Sequence, residues 1–247
     1  ATFFYLWGNN GEALGYDQRT VPSSGSSASM GTGSVTAPRS FVITEGSSDF
    51  TNDGVDDLLF RQGAEFYIRD FTAPSTFTDI IIKSLPLTYE VLFTGDFTGD
   101  NFDDVLMVDQ TTGYMGFLSG SLALNWGWTG LGYTTTEAVG DGWKVYATGD
   151  FTNDGSADIL WFNQASNQVG FWDLENGAWQ GWVGLGAAGA GWAIVTTGDY
   201  TGDNFEDIVW RNTQTGAVGL WDMNNASGSY NWIGLGTVGW NWDIAPA

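Results

Sequence analysis

One acidic nonapeptide recurs four times without gaps: Asp49-FTNDGVD-Asp57, Asp96-FTGDNFD-Asp104, Asp150-FTNDGSA-Asp158 and Asp199-YTGDNFE-Asp207. The first aspartates stand 47, 54 and 49 residues apart, so a single structural unit of about fifty residues is written four times in tandem. Each loop is preceded by a β-prone approach (Phe41-VIT, Val91-LFTG, Val145-YATG, Ile194-VTTG) and followed by a β-rich run (Leu58-LF, Val105-LMV, Ile159-LWF, Ile208-VWR). A third strand follows a polar turn at Val169-GFWDL and Val218-GLWDM, and a fourth falls at Trp128-TGLG, Trp182-VGLG and Trp232-IGLG. Four short strands per unit is the sequence form of a propeller blade. The expected fold is therefore all-β, a β-propeller.

The chain ends point to five blades. Trp240-NWDIAPA matches the first strand of a blade but no acidic loop follows it, and Thr2-FFYLWGNNGEALGYD resembles the part of a blade that comes after such a loop. A composite blade closed by the N- and C-terminal strands would bring four full repeats to five blades, and 247 residues over five units gives the observed period. The expected division is one domain over 1–247. It comprises a partial blade with a Ser/Gly-rich loop (1–39), full blades at 40–90, 91–144, 145–193 and 194–239, and a closing strand (240–247). The alternative is a small N-terminal strand pair joined by the linker-like segment 22–38 to a four-bladed body.

Composition removes much of the catalytic repertoire. Cysteine and histidine are absent, which excludes disulfides, thiolate or imidazole zinc sites and every triad with a histidine base. With 7 Lys+Arg against 29 Asp+Glu the formal net charge is −22, which disfavours nucleic acid and anionic membranes and favours cations. No apolar run is long enough for a transmembrane helix. A chain opening at Ala1, acidic and free of cysteine, is expected to be secreted, cell-surface or periplasmic.

Acids at positions 1, 5 and 9 of each loop, with a hydroxyl at 3 and a backbone carbonyl at 7, are a spacing that can wrap oxygen ligands around a hard cation, calcium before magnesium. The loop is no EF-hand, because position 12 holds Phe60, Met107, Trp161 or Trp210 instead of a bidentate Glu. The alternative reading of the same residues is a set of Asx-turns. Over residues 40–247 the pattern resembles the FG-GAP and VCBS-type repeat family, whose calcium loop D-x-[DN]-x-D-G-x-x-D lies between two strands of a propeller blade. That resemblance implies up to four Ca²⁺ ions. The implied ligands are Asp49, Thr51, Asp53 and Asp57; Asp96, Thr98, Asp100 and Asp104; Asp150, Thr152, Asp154 and Asp158; and Asp199, Thr201, Asp203 and Asp207. Threonine at position 3 departs from the family, as do Asn101 and Asn204 in place of glycine, though asparagine tolerates the left-handed backbone.

Recurrent tryptophans (Trp161, Trp172, Trp182 and Trp192, matched by Trp210, Trp221, Trp232 and Trp240 or Trp242) are read as packing between blades, while Trp126, Trp179 or Trp240 are candidates for an exposed, sugar-stacking position. Acids outside the loops form no pair of the kind a glycosidase needs; Asp173 and Asp222 are repeat equivalents. No catalytic residue is assigned, and the chain is expected not to be an enzyme. The preferred reading is a calcium-stabilised structural or adhesive subunit that mediates protein assembly, because Lys and Arg are scarce and only Arg61 and Arg211 fall near matching positions. A calcium-dependent lectin is the alternative. Recognition is expected where the repeat breaks, near 22–38, 70–88 and 133–142.

Overall fold

The computed structural model describes residues 48–73, 76–120, 126–133 and 142–239. Every described residue belongs to one compact unit, Pro38–Ala247. The expected composite blade, its Trp240–Ile244 closing strand and the segment 22–38 lie outside the described residues.

Among the described residues fifteen strands form four antiparallel sheets, each a simple meander. The first sheet holds β1 (Leu58–Gln62), β2 (Glu65–Ala73) and β3 (Thr76–Ser84). The second holds β4 (Tyr89–Gly95), β5 (Asp104–Asp109), β6 (Tyr114–Ser119) and β7 (Gly127–Tyr133). The third is built from β8 (Trp143–Gly149), β9 (Asp158–Asn163), β10 (Gln168–Glu175) and β11 (Ala178–Ala187). The fourth is built from β12 (Trp192–Gly198), β13 (Asp207–Asn212), β14 (Ala217–Met223) and β15 (Tyr230–Thr237). Strand, acidic loop and strand thus follow the repeat, with the loop joining the first and second strands of sheets two to four.

The second strands read as unbroken apolar runs because they are buried on both faces. Along β9, Ile159 and Trp161 pack with Leu106, Met115 and Phe117 of the second sheet. Leu160 and Phe162 pack instead with Ile208 and Trp210 of the fourth. Leu59, Phe66 and Ile68 of the first sheet likewise meet Val105, Met107 and Leu118 of the second. The aromatic residue after each leading aspartate drops beneath its loop into these interfaces: Phe50, Phe97 and Phe151 are buried, whereas Tyr200 is exposed.

First strands lie against one another, β4 beside β8 and β8 beside β12. The Thr148 hydroxyl donates to the carbonyl of Thr94 across that junction at 2.8 Å. In β2 and β3 the structure differs from the expected irregularity at 70–88: most of that segment is paired strand, with Phe71 opposite Phe77 and Arg69 opposite Asp79. Its departure from the repeat is chemical. Where the other sheets carry Trp128, Trp182 and Trp232 on the outer strand, the first carries Asp79, held by Arg69 at 2.6 Å.

Candidate functional site

The four acidic loops share one backbone conformation. Positions 4 and 6 adopt positive φ in all of them, and each loop fills the two places with one asparagine and one glycine: Asn52 and Gly54, Gly99 and Asn101, Asn153 and Gly155, Gly202 and Asn204. The left-handed region admits these two residue types with least strain, which is why Asn101 and Asn204 can stand where glycine was expected.

This curl turns backbone N–H groups onto the carboxylates. The first aspartate accepts from positions 5 and 6, as in Asp154 N–H and Gly155 N–H to Asp150 at 3.1 and 2.9 Å, with the same pair of bonds at Asp49, Asp96 and Asp199. The fifth accepts from position 7: Val55 to Asp53, Phe102 to Asp100, Ser156 to Asp154, Phe205 to Asp203. These are Asx-turns. The ninth aspartate opens the second strand and points inward. In Asp158 one carboxylate oxygen accepts from Phe151 N–H at 3.0 Å and the other from Leu174 N–H at 2.9 Å, at the end of the third strand. Asp104 bridges Phe97 and Gly120 in the same way, Asp207 bridges Tyr200 and Met223, and Asp57 reaches Phe50 and Phe71.

Loops of neighbouring sheets are also joined. The N–H at position 8 donates to the carbonyl of the leading aspartate of the preceding loop: Asp103 to Asp49, Ala157 to Asp96, Glu206 to Asp150. Burial outweighs the hydrogen bonds that favour ionisation and pushes the carboxyls of Asp104 and Asp158 up to about 8 and of Asp57 and Asp103 to about 6, while burial and the nearby Asp199, Asp207 and Asp150 push Glu206 to about 7.

Threonines at position 3 behave differently from loop to loop. Thr51 donates to Asp57, Thr98 to Asp96, and the buried Thr152 hydroxyl has no protein partner. Positions 1 and 9 use both carboxylate oxygens on N–H groups, and among the described residues no group of three or more carboxylates is gathered for a metal ion. As placed, the first and ninth carboxylates of each expected ligand set face backbone N–H groups, as Asp150 and Asp158 do in the third loop.

A second repeated constellation lies on the outer strands. The indoles of Trp128, Trp182 and Trp232 lie over glycines of the third strands, Gly116, Gly170 and Gly219, where a Cβ would meet the ring at under 3 Å. An aromatic residue from the start of the first strand closes each edge-on: Tyr89 on Trp128 at 5.3 Å, Trp143 on Trp182 and Trp192 on Trp232, both at 5.1 Å. Trp182 and Trp232 remain 44% and 49% exposed. Trp182 is the cross-strand partner of Trp172, whose face looks toward the second sheet, so this rim follows the junction between sheets.

These positions correct the sequence reading. Trp126 is buried against Phe50, Trp179 is exposed as expected, Trp240 is outside the described residues, and Trp182 and Trp232 are surface groups as much as packing ones. The signal for them was the third-strand glycine two residues before the cross-strand partner of each outer-strand tryptophan. Arg61 and Arg211 are backbone clasps: Arg61 donates to Gly63, Tyr89 and Pro86 carbonyls at 2.6–2.8 Å, and Arg211 to Gly239 at 3.2 Å.

Residues 150–210, from the third acidic loop to the second strand of the fourth sheet, match the FG-GAP-like repeat family, in agreement with the resemblance read from the motif. No curated protein matches the chain. Among solved structures, the chain is similar to a lectin of Agrocybe aegerita, solved for its specific recognition of non-reducing terminal N-acetylglucosamine. The TM-score is 0.61 at 14% identity, over 77% of this chain and 51% of that one, so this chain spans about half the length of the lectin chain.

Proposed function

We propose that this chain is a non-catalytic β-propeller module that binds glycans at the rims between its sheets. The observation that carries this reading is the repeated exposed indole: Trp182 and Trp232, each floored by glycine and walled by a second tryptophan. A flat apolar ring held edge-on by its neighbour presents one face to solvent, which suits stacking on the C–H face of a sugar, and it is pre-ordered, so little rotamer freedom is lost on binding. Similarity of fold to a lectin supports the same class of ligand.

Scarcity of Lys and Arg, which favoured an assembly role in the sequence, weighs less once stacking rather than ion pairing is the means of binding. Two or more equivalent sites on one rigid chain would add avidity for multivalent glycans. Such ligands are met outside the cell, where an acidic, cysteine-free surface is well suited. A glycan microarray probed with the wild type and with the Trp182→Ala, Trp232→Ala double variant tests the proposal. Binding to a defined class of terminal sugars, lost in the double variant with the melting midpoint retained, supports it; no binding to any glycan, with self-association or capture of a defined protein partner instead, replaces it with the assembly reading.

A further inference from the structure

We propose that the four acidic loops hold their conformation without a bound cation, their aspartates serving as receptors for backbone N–H groups. The resemblance to a calcium-loop family points the other way, so the donors decide. Every leading aspartate has both oxygens engaged by N–H groups of its own loop. Every ninth aspartate is buried and spans from the loop's second residue to the end of the third strand.

Turning that carboxylate toward an ion in the loop would strand two buried N–H groups in each of four places, a loss that a calcium contact at the same oxygen would have to offset. Carboxylates that face only one another need a cation for charge neutralisation; here each also faces N–H dipoles that offset part of that repulsion. Position 3 agrees, since threonine supplies no formal charge and in two loops gives its hydroxyl to an aspartate of the same loop. Each loop then acts as a knot between first, second and third strands, and the chain of position-8 to position-1 bonds passes that order from sheet to sheet.

The test uses the full chain, stripped with chelator and dialysed, and calcium chloride as the probe. Calorimetric titration to ~10 mM Ca²⁺, about tenfold above the weakest extracellular calcium modules, is expected to give no saturable heat, and the melting midpoint is expected to be the same in chelator and in calcium. A second measurement uses Asp53→Asn, Asp100→Asn, Asp154→Asn and Asp203→Asn together. Asparagine keeps the Asx-turn acceptor but is a poorer calcium ligand, so the quadruple variant is expected to melt within a few degrees of the wild type in either solution. Saturable binding of one or more calcium ions per chain with a raised midpoint, or a midpoint that collapses in the quadruple variant as it does on chelation, overturns the proposal.

Discussion

Replacing Gly170 with alanine tests the glycine-floored aromatic rim at its tightest point. A Cβ at this position would lie 2.6 Å from the carbonyl oxygen of Val183 and 2.7 Å from Cη2 of Trp182, with Cζ2 closer still. Separations this short cannot be relieved by the indole alone, because the carbonyl belongs to the paired strand β11. Overpacking of a well-filled site typically destabilises by ~1–3 kcal/mol, and simultaneous displacement of backbone and ring puts this change in the upper half, about 2–3 kcal/mol. For a chain of this size that corresponds to a fall of ~4–12 °C in Tm. Gly181→Ala is the control: it sits on the outer strand β11 beside Trp182, with nothing within 4 Å of its Cβ, and is expected to be silent. Thermal and urea unfolding followed by circular dichroism supply the measurement, and repeating Gly170→Ala in a Trp182→Ala background separates ring from carbonyl, since part of the cost should disappear there. A Gly170→Ala protein within about 0.5 kcal/mol of wild type, the range of an ordinary surface change, would refute the packing described for the rim.

Other substitutions probe the loops and the junctions. Asp158→Ala leaves the N–H groups of Phe151 and Leu174 without acceptors and is expected to lower stability in urea by ~2–4 kcal/mol, with Asp158→Asn costing less because one amide oxygen still accepts. Arg61→Lys loses the fork that holds three carbonyls and is expected to cost about 1–2 kcal/mol. The pH dependence follows from burial. Asp104 and Asp158 titrate near 8 in the folded chain against an ordinary value of 3.8, and Glu206 near 7 against 4.5, so between those values the folded chain holds protons that the unfolded chain has released. Stability should therefore rise as the pH is lowered from about 9 to about 6 and fall as it is raised through the folded values, read as a higher Tm on the acid side.

The sequence was legible where a local rule repeats. Loop boundaries, the strands on either side and the need for a left-handed residue at position 6 all follow from spacing and residue type, and β4, β8 and β12 end at Gly95, Gly149 and Gly198, immediately before their loops. The destination of a carboxylate is a different matter. Asp at positions 1, 5 and 9 reads equally as three metal ligands or three N–H acceptors, and the choice depends on the third-strand N–H groups of Phe71, Gly120, Leu174 and Met223, which are 14 or 16 residues away in the chain. Exposure of aromatics was similarly hidden. Trp126 stands two residues before the repeat tryptophan Trp128, where the third sheet has Gln180, yet it enters the core beside Phe50 while Trp182 lies on a glycine at the rim, a distinction set by the neighbouring strands.

Glycan binding at the rim is tested most directly by the indole N–H resonances of the tryptophans, followed during titration with the oligosaccharides that an array selects. The account predicts that the signals of the exposed Trp182 and Trp232 shift progressively and saturate, while those of the buried Trp161 and Trp210 stay in place. Saturable binding that leaves Trp182 and Trp232 unmoved, or that persists when both are replaced by alanine, would contradict it.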